Sequence, residues 1–164
     1  MPTGGRSVEL VDTKRIELFM PILKEVDFGD RFLLSMLHWC GIGHRSTPLD
    51  FWQVFLIRSA KEIVGVSGLY RQPETPEQLF WLGWFAIRPK FRRRGLGGAA
   101  IEAIKDYAPT VGCKELWVYT ESSDQVAQSF YLSQEFELLG SASDYAHGQT
   151  MSDFDIVLRR RLDS

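Results

Sequence analysis

Apolar and polar positions change period along the chain, and the changes mark its elements. Ser7–Val11 alternates like a short strand. Ile16, Phe19, Met20 and Leu23 recur at helical spacing, with Pro21 inside the pattern, where it should kink or divide the helix. Phe28, Phe32, Leu33, Met36, Leu37 and Cys40 form a second helical stripe, ended by Gly41 and Gly43. Phe51–Ser59 and Glu62–Tyr70 read as two strands of a β-hairpin turning at Ala60 and Lys61. A loop carrying Pro73 and Pro76 leads to Leu79–Ile87, an almost wholly apolar run of the kind buried on both faces. After Pro89 the helical period returns in Leu96, Ala100, Ile104, Tyr107 and Ala108, and it stops at Pro109. Glu115–Thr120 is another apolar strand. Ser122 and Gln125 have capping-box spacing, so the next helix is expected to begin there, with Val126, Ala127, Phe130, Tyr131 and Gln134 on one face. Phe136–Leu139, with room to run on to Tyr145, and Asp153–Leu158 are expected to close the sheet. Arg159-Arg160-Arg161 is expected to be a solvated chain end.

Antiparallel hairpins followed by one strand–helix–strand unit give an α/β (α+β) class. The expected architecture is a mixed, mostly antiparallel central sheet with helices on both faces. The 164 residues suit one domain, with no repeats and no low-complexity tract. A formal net charge of −2 argues against a general nucleic-acid binder, so any positive patch must be local. No apolar run is long enough to span a membrane, and no basic segment followed by an apolar core opens the chain, so a cytoplasmic protein is expected. Cys40 and Cys113 belong to no CxxC pair, and His38, His44 and His147 fit no zinc spacing. Reduced, buried thiols and no metal are therefore expected.

The segment richest in chemistry runs Ile87-Arg88-Pro89-Lys90-Phe91-Arg92-Arg93-Arg94-Gly95-Leu96-Gly97-Gly98-Ala99. It passes from a buried strand through a cationic loop into a helix. Glycines there expose unpaired N–H groups at the positive end of the helix dipole, which attract phosphates. The alternative is a solvated basic loop whose glycines serve helix packing. No Gly-Lys-Ser/Thr ending marks a P-loop. Gly95, Gly97 and Ala100 fit the dinucleotide fingerprint, and Glu115 lies about 20 residues on, where a ribose-binding acid belongs. However, Arg88–Arg94 intervenes where that turn is tight, and antiparallel hairpins precede it.

Arg92-Arg93-Arg94-Gly95-Leu96-Gly97 resembles the Q/R-x-x-G-x-G/A signature of the GCN5-related N-acetyltransferases. Asp124-Gln125-Val126-Ala127-Gln128-Ser129-Phe130-Tyr131 resembles that family's N-x-x-A-x-x-x-Y motif, and Tyr131-Leu132-Ser133-Gln134-Glu135-Phe136 its Y-x-x-x-G-F ending. The resemblance covers about residues 80 to 140 at motif level. It implies splayed fourth and fifth strands with acetyl-CoA in the gap. The backbone of Phe85, Ala86 and Ile87 would pair with the pantetheine arm. Arg92, Arg93, Arg94, Gly95, Leu96, Gly97 and Gly98 would hold the pyrophosphate, and Asp124 would stand where the family has Asn. Tyr131 would be the general acid for the thiolate, and the Phe85 N–H an oxyanion donor.

Chemistry further requires a neutral amine. A lysine-like amine of pKa ~10.4 is neutral in only about one molecule in a thousand near physiological pH. Many relatives carry a glutamate in the fourth strand as base, whereas Phe80–Ile87 contains no acid. Glu77 before it and Glu121 after the fifth strand are the candidates, acting through water. Glu135 stands where the family has Gly. Phe28, Phe32, Trp39, Trp81, Trp84 and Tyr145 are candidates for an aromatic acceptor wall, with core packing as their alternative role. Asp144, Asp153 and His147 are further residues able to meet a cation. The expected activity is acetyl transfer from acetyl-CoA to a primary amine of a small metabolite or amino-acid-like acceptor, by direct attack in a ternary complex. Protein N-terminal or lysine acetylation, and a non-catalytic acyl-CoA-binding module, stand beside it. A homodimer is compatible with the family.

Overall fold

The computed structural model describes residues 7–13, 15–26, 51–146 and 154–162. The helical stripe expected between Phe28 and Cys40 lies outside them, as do His44, His147 and Asp153. Strand β1 (Glu9–Thr13) is followed by a 3-10 turn at Ile16–Leu18 and by helix α1 (Met20–Glu25). Pro21 does divide the helical pattern. It sits in the first turn of α1, where a missing N–H costs nothing. Strands β2 (Phe51–Ser59), β3 (Glu62–Arg71) and β4 (Leu79–Ile87) fall where the alternation put them. Then come α2 (Leu96–Tyr107), β5 (Glu115–Glu121), α3 (Gln125–Ser133), β6 (Glu137–Ser141), the one-turn α4 (Ala142–Tyr145) and β7 (Asp155–Arg161).

The seven strands form one sheet in the order β1-β2-β3-β4-β5-β7-β6, and β4 with β5 is its parallel pair. One face packs Phe19, Ile22 and Leu23 against Val66, Trp81, Trp117 and Val157. The other packs α2 and α3 through Ile101, Ile104, Tyr131 and Phe136 against Phe55, Leu69, Phe80 and Leu158. β4 therefore contacts apolar groups on both sides, as its unbroken apolar run required.

Three expectations are corrected. The capping box does not form: Asp124 is the N-cap of α3, its Oδ1 accepting the Ala127 N–H at 3.0 Å. Strand β6 ends at Ser141 and gives way to α4 before Tyr145. Arg159–Arg161 is the last stretch of β7, paired along β5, and of the three only Arg161 is exposed as expected. Arg160 is 4% exposed and reaches Glu102 on α2 at 3.1 Å and Glu135 after α3 at 3.0 Å. Arg159 meets Glu137 at 2.6 Å and Glu115 at 3.3 Å. A basic run reads as solvated until its strand is known to have neighbours on both edges.

Candidate active site

The parallel pair of β4 and β5 is joined only at Leu79–Glu115, Phe80–Leu116 and Trp81–Trp117. β4 nevertheless runs on to Ile87 and β5 to Glu121, so the strands part beyond Trp81 and leave a wedge. The cause lies in β4. Its register with β3 passes from Gly68–Gly83 to Val66–Ala86, which sets Trp84 and Phe85 opposite the single residue Ser67. Trp84 has φ 54°, in the left-handed region. A bulge of this kind bends its strand, here just past the last pair with β5. It also resets the alternation. Trp84 and Ala86 pack with Trp81 on the α1 face, while Phe85 and Ile87 pack with Phe80 and Leu82 on the α2–α3 face. The bent strand presses the Ala86 carbonyl onto Gly65, where no side chain fits.

At the mouth of the wedge β4 passes through the cationic loop into α2. Gly95 is the N-cap at φ 76°, with no side chain to cap the helix. The first helical bond runs from the Ala99 N–H to the Gly95 carbonyl at 3.1 Å. The N–H groups of Leu96, Gly97 and Gly98 consequently face outward at the positive end of the helix. Arg93 adopts φ 60°, an unfavourable conformation for a side-chain-bearing residue and one that recurs at ligand clamps. Arg92, Arg93 and Arg94 are exposed and meet no carboxylate among the described residues. Arg92 is braced by its Nε, which donates to the Ile87 carbonyl at 2.9 Å. Beneath them the buried Phe91 ring carries Lys90, Arg88 and Arg94 at 5.0, 5.5 and 5.7 Å from its centroid. Arg88 also pairs with Glu25 of α1 at 3.0 Å, and that hydrogen bond holds the Glu25 carboxyl below its usual range. Gly97 and Gly98 serve packing as well. A Cβ on Gly97 would stand 3.1 Å from Phe130, and one on Gly98 3.2 Å from the Gln134 amide, both of the α3 region. The packing alternative thus describes their side-chain positions, while their amides remain at the helix end.

On the α2–α3 face, Phe130 stacks on Phe85 at 5.6 Å and so ties α3 to the bent end of β4. Tyr131 is 7% exposed between Phe130 and Phe136. Burial, then the charge of Asp124, pushes its phenol above the ordinary tyrosine range, so it stays a neutral O–H donor. Asp124 itself is engaged in capping α3.

Of the aromatic wall candidates, Phe28, Phe32 and Trp39 lie outside the described residues. Trp81 is a core residue at 0% exposure and is corrected as a wall. It closes the apex of the wedge, edge-on to Trp117 at 5.7 Å and to Tyr119 at 6.1 Å. Trp84 and Tyr145 are half-buried against the same cluster, Tyr145 edge-on to Trp117 at 5.8 Å. Glu121 is exposed at the open end of β5. Glu77 lies at the other end of β4, next to Gln78, whose carbonyl accepts the Lys114 and Glu115 N–H groups. That is the closed end of the pair, so the structure separates Glu77 from the wedge. Glu115, the candidate ribose ligand, is likewise at the closed end and is bound to Arg159, and the antiparallel sheet removes the dinucleotide reading.

The sequence reading missed Tyr119 and Asp155. β5 and β7 are in register through Tyr119–Val157 and Glu121–Asp155, which puts all four on the α1 face at the open end. Asp155 is 8% exposed. Its signal was an acid at an inward position of the alternation Asp155, Val157.

The model of the acetyltransferase (GNAT) family matches residues 16–136. A search of curated proteins finds no match. Solved structures share the fold at low identity. An acetyltransferase of the GNAT family from Staphylococcus aureus is 13% identical at a TM-score of 0.67, over 96% of this chain and 100% of that one. One from Elizabethkingia anophelis, with acetyl-CoA bound, is 15% identical at 0.61, over 94% and 98%. An acetyltransferase from Bacillus subtilis in complex with CoA is 17% identical at 0.60, over 94% and 97%.

Proposed function

The chain belongs to the acetyltransferase (GNAT) family, and we propose that it moves the acetyl group of acetyl-CoA to a primary amine by direct attack in a ternary complex. One observation carries this reading: the pairing of β4 with β5 stops at Trp81–Trp117, and an uncapped helix end flanked by arginines that meet no carboxylate among the described residues stands at the mouth of the gap. The anion site and the opening fit a long ligand that is phosphorylated at one end.

In this reading the N–H groups from Arg93 to Gly98 and the Arg92 guanidinium bind the pyrophosphate. The backbone of Phe85, Ala86 and Ile87 pairs with the pantetheine arm. The bulge sets two β4 residues against one on β3, so one amide leaves the ladder, and the Phe85 N–H suits the oxyanion. Tyr131 hands its proton to the departing thiolate. Asp124 contributes by fixing the start of α3, and through it Phe130 and Tyr131. Trp84 and Tyr145 line the acceptor side, and Glu121 is the exposed carboxylate there. A small amine is the acceptor.

Thermal stability tests the cofactor. Acetyl-CoA at ~100 times its Kd should stabilise the fold by about 2.7 kcal/mol, and NAD at equal concentration should not. Thiol release with added amines then tests transfer. A shift without thiol release from any amine would favour the non-catalytic acyl-CoA-binding module.

A further inference from the structure

β4 holds no acid, so the acceptor amine needs its base from elsewhere. The α1 face of the wedge is where an acceptor meets the acetyl end, because the anion site lies with α2 on the opposite side. On that face three hydroxyl or carboxylate groups lie across the parted strands. Tyr70 on β3 pairs in register with Trp81 at the apex, and its side chain hydrogen-bonds Tyr119 on β5. Tyr119 lies diagonally across from Asp155 on β7, since Tyr119 opposes Val157 and Glu121 opposes Asp155. Diagonal neighbours on one face stand roughly 7 Å apart, within reach of a long side chain. Partial burial and then the charge of Asp155 raise the Tyr119 phenol, although 39% of the residue stays exposed.

Two further observations mark the place as a ligand site. Asp155 is nine-tenths buried and stands directly opposite a second carboxylate, Glu121, so an ammonium that enters here meets two negative charges. At the apex the indole N–H of Trp81, fully buried and edge-on to Tyr119, meets no hydrogen-bond acceptor among the described residues.

We propose that Asp155 is the base of the acceptor site, receiving the ammonium of a cationic primary amine and taking its proton, with Tyr119 and Tyr70 as positioning residues. The proposal rests on the acetyl-transfer reading above. The ammonium gives one proton to the Asp155 carboxylate, which passes it to solvent. The neutral nitrogen forms the C–N bond to the thioester carbon. The C–S bond breaks with its electron pair on sulfur, Tyr131 gives that sulfur its proton to form the free thiol, and the nitrogen's second proton restores the Tyr131 phenol by way of solvent.

The test compares two kinds of acceptor by thiol release: ethylamine, putrescine, tyramine and lysine amide, all cationic at neutral pH, and hydroxylamine, which is already neutral there. Acetyl-CoA affinity is measured in parallel by calorimetry. Asp155→Asn should lower kcat/KM for the cationic amines by about 100-fold or more, with hydroxylamine turnover and acetyl-CoA affinity unchanged. Tyr119→Phe should show the same contrast at smaller size, and it stands in should Asp155→Asn fail to fold. Equal losses for both kinds of acceptor, or none for either, overturn the proposal. A wild-type protein that binds no acetyl-CoA, or binds it and acetylates none of these amines, overturns the acetyl-transfer reading itself and this assignment with it. That result needs no variant, so the two failures are distinct.

Discussion

A methyl group on Gly65 would stand 2.3 Å from the carbonyl oxygen of Ala86. The contact is backbone against backbone, so no rotamer relieves it. Gly65→Ala is expected to cost about 2–4 kcal/mol, read from urea denaturation. It should also weaken acetyl-CoA binding if the end of β4 pairs with the cofactor as proposed, because the displaced residue belongs to that end. An unchanged midpoint would show that the bulge can move.

Gly97 and Gly98 are adjacent but should answer an alanine oppositely. The Cβ at Gly97 meets the Phe130 ring, which is pinned by its stack on Phe85. There a clash of ~1–3 kcal/mol outweighs the ~1 kcal/mol gained in helix propensity. The Cβ at Gly98 meets only the far end of Gln134, which can swing aside, so about 0.5 kcal/mol of the propensity gain should survive. Melting temperatures of the two variants, one lower and one higher than wild type, are the check.

Arg160 and its partners should be unequal. The arginine side chain is 5% exposed, whereas those of Glu102 and Glu135 are 52% and 80% exposed and can be hydrated when left alone. Arg160→Ala removes a packed stem as well as a charge and should cost about 2 kcal/mol, while Glu135→Gln should stay within ~0.5 kcal/mol. Denaturation of both variants decides, and equal losses would contradict the asymmetry.

Stability should fall at alkaline pH. Burial pushes the Cys113 thiol up to about 12, and burial raises the Tyr131 phenol as well. In the unfolded chain these groups titrate near ~8.5 and ~10. The folded state therefore holds the extra protons above those values. The stabilisation is complete below the unfolded pKa of each group and is lost as pH rises toward its folded one. Urea midpoints should be level near neutrality and drop above about pH 9, less steeply in Cys113→Ala. A midpoint that holds at pH ~10 would contradict the burial of both groups.

The strands and the glycine-rich helix start were legible because each is a local pattern. β2 and β4 were bounded by alternation and turn residues, and the glycines after Arg94 mark the start of α2. What escaped the sequence depends on partners far along the chain. Arg160 reads as solvent-facing because nothing near it in sequence says that β7 lies between β5 and β6. Trp81 reads like Trp84, since only the pairing with Trp117 distinguishes a residue at the closed apex from one at the open end. Asp155 and Tyr119 are 36 positions apart and become neighbours through strand register alone.

The bulge at Trp84 has the form of one residue inserted into an otherwise regular alternation. Removing Trp84 would let Gly83 run straight into Phe85, and Phe85, Ala86 and Ile87 would keep the faces they now have. Both sides of the core would read the same sequence as before. A strand so shortened can pair regularly with β3 and lie flat beside β5. The opening between β4 and β5 is in this sense a detachable addition to the sheet: one deletion should close the gap and spare the fold.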